Sequence, residues 1–81
     1  MDRDAVFAIL KSSAAEVLGV DESAVIETAR FKDDLDADSL DLVELVMALE
    51  EKLDISVPEE DLEGIETVGQ ALDLVVGKVG A

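Results

Sequence analysis

The stretch from Ser39 to Leu53 reads as a helix with two apolar faces. At about 100° per residue, Leu42, Leu45, Val46, Leu49 and Leu53 gather on one side and make a core stripe. The opposite side holds Leu40, Val43 and Met47 framed by Glu44, Glu50 and Glu51, where an ordinary surface helix would be uniformly polar. The first stripe belongs to a core, and the second is left for something outside the chain.

Ahead of that helix stands the run Asp33-Asp34-Leu35-Asp36-Ala37-Asp38-Ser39-Leu40-Asp41. The first N–H groups of a helix lack intrahelical partners and favour oxygen acceptors and negative charge, so both the carboxylates and Ser39 are candidates for capping. The rest of the chain repeats the helical theme. Val6, Leu10, Ala14, Val17 and Leu18 recur at helical spacing from a start at Asp2 or Asp4, and Gly19 closes that helix as a C′ residue. A long first loop follows, with a short turn around Glu22 to Val25 and with Val20, Val25, Ile26 and Phe31 placed to pin it to the core. Pro58 suits the first position of a short third helix over Pro58 to Glu63, which Gly64 ends. Thr67 and Gln70 have capping-box spacing before a last helix whose apolar stripe is Val68, Ala71, Leu72, Val75 and Val79. The expectation is an all-α fold: a small four-helix bundle of three main helices and one short one, in a single domain over residues 1–81.

Composition narrows the chemistry. The chain has no Cys, no His, no Trp and no Tyr, so disulfides, thiolate nucleophiles, zinc–thiolate sites and the commonest general base are all missing. Asp and Glu number 21 against 6 Lys and Arg, a formal charge of −15 at pH 7 that repels nucleic acid and anionic membranes and suits basic protein surfaces. A hydrophobic content of 49% with clear periodicity places the chain among folded rather than disordered proteins. No secretory h-region or membrane span is present in the sequence, so the default location is cytoplasmic; the expected state is a monomer.

An Asp-Ser pair before an apolar run is by itself only a helix cap. The ordered set Phe31, Leu35, Asp38-Ser39-Leu40-Asp41, Val43-Glu44-Leu45, Glu50-Glu51, Val57-Pro58 and Thr67-Val68 is more specific, and it resembles the acyl carrier protein pattern from about Leu18 to Val75. The resemblance implies that Ser39 carries 4′-phosphopantetheine, joined covalently from coenzyme A by a phosphopantetheinyl transferase, and that the chain is a carrier and not an enzyme. It further implies that Asp38, Leu40, Asp41, Val43, Glu44, Met47, Glu50 and Glu51 meet basic patches on acyltransferases, ketosynthases and related synthase enzymes. An acyl chain would then enter the bundle near Leu42, Val46, Leu49, Leu62 and Ile65. One departure is Asp36, which stands where the family often has glycine and would stiffen the loop or add a partner contact.

Other readings remain open beside this one. A stand-alone carrier for polyketide or peptide assembly shares the same serine and fold. An acidic adaptor of a different class would dock on basic proteins with Ser39 unmodified. A calcium loop fails: Asp34, Asp36 and Asp38 have the spacing of positions one, three and five, but Ser39 stands at the obligatory glycine and Leu45 at the bidentate glutamate. No dedicated metal site is expected.

Overall fold

Three α-helices, α1 over Arg3–Leu18, α2 over Ser39–Leu53 and α3 over Val68–Val79, carry the fold in a computed structural model that describes residues 2–80. Each starts on a local signal in the sequence. The Asp2 carboxylate caps α1 by accepting from the Ala5 N–H, and the α3 capping box is formed as the spacing predicts, with the Thr67 hydroxyl accepting from Gln70 N–H and the Gln70 amide oxygen accepting from Thr67 N–H. Gly19 ends α1 at φ 71°, a left-handed conformation that a side chain would strain.

Helix α1 packs on both α2 and α3. Leu10, Leu45, Leu49 and Leu72 are completely enclosed, each contributing roughly 1.5–3 kcal/mol by leaving water. The long loop is part of this core rather than draped over it, because Val25, Ala29, Phe31, Leu35 and Ala37 are all buried in it. Backbone bonds then fix the loop to the start of α3: Phe31 N–H donates to Glu66 C=O and Val68 N–H donates to Ala29 C=O, both at 2.9 Å. Gly69 permits this approach, since a Cβ there would stand 3.1 Å from the Glu27 carbonyl oxygen that its own N–H donates to. The residue that weakens α3 as a helix is therefore the one that lets the loop dock.

Two expectations need correction. Ile26 does not pin the loop; it is 53% exposed, and Ala29 takes the place in the core. The short third helix is a 3₁₀ turn over Glu59–Leu62 with Pro58 as its cap, because so brief a segment lacks the length to nucleate α-helical bonds. The architecture is otherwise the expected all-α bundle of three main helices and a short third one, and among the described residues a second 3₁₀ turn spans Glu22–Ala24. Exposed acids also tie the elements together: Glu16 pairs with Lys52, and Glu27 and Asp73 both pair with Arg3 at 2.6 and 2.5 Å. The hydrogen bonds to Asp73 and then Glu27 hold the Arg3 guanidinium above its ordinary pKa, and through them it joins the loop and α3 to the start of α1.

Candidate functional site

Ser39 is the first residue of α2, and its side chain is exposed. The cap is made by its neighbours. Asp38 Oδ1 accepts from the Asp41 N–H at 2.9 Å, and Asp41 Oδ2 accepts from the Asp38 N–H at 3.3 Å, a reciprocal box that fixes the helix start without the serine. The Ser39 hydroxyl is thereby presented at the positive end of a helix dipole, a place that favours a covalently held phosphate while Asp38 and Asp41 offset part of the gain. No His or Lys stands beside it in sequence to activate the hydroxyl as a nucleophile.

Two clefts open beside Ser39 and share Leu42 and Leu62. One, of about 410 Å³, runs between α2 and the 3₁₀ turn and is lined by Ser39, Leu42, Val43, Leu62 and the acids Glu59, Glu60 and Glu63. The other, of about 700 Å³, lies between the long loop and the same turn, with Phe31, Ala37, Leu42, Leu62 and Ile65 supplying its apolar wall. Aliphatic side chains beside an exposed hydroxyl fit a pantetheine arm and the acyl group on it. Among the residues expected near an acyl chain, Leu42, Leu62 and Ile65 line these clefts, whereas Val46 and Leu49 are buried and line neither.

The outward face of α2 keeps the character its wheel predicts. Leu40 and Met47 are 65% and 58% exposed, with Glu44 and Glu51 exposed around them and Val43 half-buried at the cleft edge. Two of the acids are committed elsewhere. Asp41 is half-buried in the capping box, and Glu50 is half-buried with Oε2 accepting from the Val57 N–H at 2.9 Å. Glu50 therefore fixes the strand of chain after α2, a role invisible on a helix wheel because its partner lies seven residues away in irregular backbone.

Residues 8–75 match the family described as "Phosphopantetheine attachment site". A protein of Rubrobacter xylanophilus named "Acyl carrier protein" is 50% identical over 76 residues, which span 94% of each chain. The chain belongs to the acyl carrier protein family. Its fold also matches the solved structure of an acyl carrier protein from Enterococcus faecalis, studied for high thermal stability, with a TM-score of 0.76, 33% identity and coverage of 96% and 99% of the two chains.

As a member of this family the chain is a carrier of phosphopantetheine and not an enzyme. The position where acyl carrier proteins often have glycine is explained by its backbone, since Asp36 is at φ 54°, in the left-handed region that glycine adopts without strain and aspartate tolerates. Among the described residues no three carboxylates come together as a metal-binding group, and no helix is long and apolar enough to cross a membrane.

Proposed function

We propose that Ser39 is the attachment residue and that the chain carries acyl groups as thioesters for the enzymes of dissociated fatty-acid synthesis, as a cytoplasmic monomer. The observation that carries this reading is the placement of Ser39: exposed, outside the cap at the head of α2, and at the mouth of two clefts that share Leu42 and Leu62. When bound, phosphopantetheine supplies the thiol that holds the acyl group. The rest falls to the chain. The Ser39 oxygen becomes the ester oxygen of the phosphodiester, the α2 amide groups favour the phosphate, and Leu42, Leu62 and Ile65 shelter apolar cargo from water.

Delivery depends on the exposed face. Leu40 and Met47 offer apolar contact at the centre of a docking patch, and Glu44 and Glu51 steer it towards basic surfaces on the phosphopantetheinyl transferase, acyltransferases and ketosynthases. The same carrier chemistry serves polyketide or peptide assembly, and the 50% identity to a protein of similar length named "Acyl carrier protein" supports the fatty-acid role.

Incubation with coenzyme A and a phosphopantetheinyl transferase, read by intact mass and peptide mapping, tests the assignment. One added phosphopantetheine on Ser39 and none on Ser39→Ala is the expected result. An unmodified chain favours the adaptor reading, and modification of Ser39→Ala overturns the choice of residue.

A further inference from the structure

Both clefts beside Ser39 have one wall in common, the chain from Pro58 to Ile65, and this wall is the least anchored part of the site. Its two ends are pinned. Val57 is buried with its N–H held by Glu50, and the Glu66 carbonyl accepts from Phe31 N–H. Between those pins the wall's backbone bonds are local: Asp61 N–H to Pro58 C=O, Glu63 N–H to Glu60 C=O and Ile65 N–H to Leu62 C=O. None of the residues of its 3₁₀ turn is buried. Segments with few enclosed side chains and only local backbone bonds open at low free energy.

One polar tie crosses from this wall to a main helix among the described residues. Lys78 Nζ, in the last turn of α3, stands 3.0 Å from Asp61 Oδ2. At 35% and 32% exposure its two side chains are more sheltered than the two ends of any other ion pair among the described residues, which favours this contact over its more exposed counterparts. Leu62 follows Asp61 and faces both clefts, so movement of Asp61 away from α3 moves a side chain that the two clefts share.

We propose that the Asp61–Lys78 pair is a latch that sets how readily the 58–65 wall parts from the bundle, and with it how long an acyl group on Ser39 stays sheltered. Lys78 is then a positioning residue, acting on cargo through the wall and touching none of it. The second half of this statement rests on the reading of Ser39 and its clefts given above, and the first half stands without it.

The test has two readouts. Amide hydrogen exchange of the unmodified protein, followed by peptide mass spectrometry, should speed up about three-fold across residues 58–65 in Lys78→Gln and in Asp61→Asn, as loss of a partly exposed ion pair predicts. The exchange-matched double variant Asp61→Lys with Lys78→Asp should return most of the protection. Lys52→Gln, which breaks a pair with Glu16 and a hydrogen bond to Ser13 elsewhere, should leave the wall unchanged relative to the rest of the chain. Unchanged exchange at 58–65 in both single variants, or an equal increase in Lys52→Gln, overturns the latch. The second readout is the hydrolysis rate of an octanoyl thioester on the loaded protein. Faster hydrolysis in Lys78→Gln than in the parent supports the link to cargo. If the parent thioester hydrolyses as fast as free octanoyl-pantetheine, the sheltering reading of the clefts fails instead; if the parent protects and Lys78→Gln protects equally, the latch does not govern release.

Discussion

Asp36 offers a quantitative check on how the loop sets up Ser39. Its φ of 54° is not free to relax, because both neighbours are fixed: Leu35 and Ala37 are buried, Leu35 N–H donates to Arg30 C=O at 3.1 Å and Ala37 N–H donates to Phe31 C=O at 2.7 Å. A left-handed conformation costs an ordinary L-residue roughly 1–2 kcal/mol, somewhat less for aspartate. Glycine removes that cost but forfeits roughly 0.5–1 kcal/mol through a freer unfolded chain. The net expectation for Asp36→Gly is a gain of up to about 1 kcal/mol, and a midpoint raised by up to about 4–8 °C in a domain of this size. Removing one charge from the Asp33 to Asp41 run adds to the gain, so Asp36→Asn, which loses the charge and keeps left-handed tolerance, separates the two effects. Asp36→Val should be the least stable of the set, because a β-branched residue at positive φ is an outlier. Thermal unfolding by circular dichroism ranks the four proteins. A glycine variant that melts at or below the parent, with the valine and asparagine variants indistinguishable, refutes the account of this turn.

Glu44→Lys should weaken docking to a ketosynthase or phosphopantetheinyl transferase and flatten its salt dependence while leaving helical content unchanged; equal affinity at low ionic strength reduces Glu44 to a solvated charge. Glu50→Ala should cost about 1–3 kcal/mol in urea unfolding, since it strands the N–H of buried Val57, whereas exposed Glu51→Ala should change stability by less than about 0.5 kcal/mol. Equal effects at the two positions rule out the Glu50 tie. With a formal charge of −15, moderate salt should raise the melting temperature by shortening the screening length to about 10 Å at 0.1 M, and millimolar magnesium should raise it further with graded, weakly selective binding. A single stoichiometric, submicromolar calcium site would point instead to a dedicated metal centre.

The sequence by itself determined the parts of this protein that depend on short-range chemistry. The bounds of α2 from Ser39 to Leu53, the Thr67 and Gln70 box and the close of α1 at Gly19 are all written in nearby residues, where periodicity and capping act. Tertiary structure decided the rest. A helix wheel assigns Glu50 to the outer face, yet its carboxylate folds back to Val57 because an irregular N–H there needs an acceptor. Periodicity counts Ile26 and Ala29 by hydropathy alone, while the docking of the loop against Val68 and Gly69 leaves room for the smaller side chain and turns the larger one to solvent. The two clefts and the Asp61–Lys78 tie exist only where the loop, the 3₁₀ turn and the two helices α2 and α3 meet, across separations in the chain that no local pattern spans.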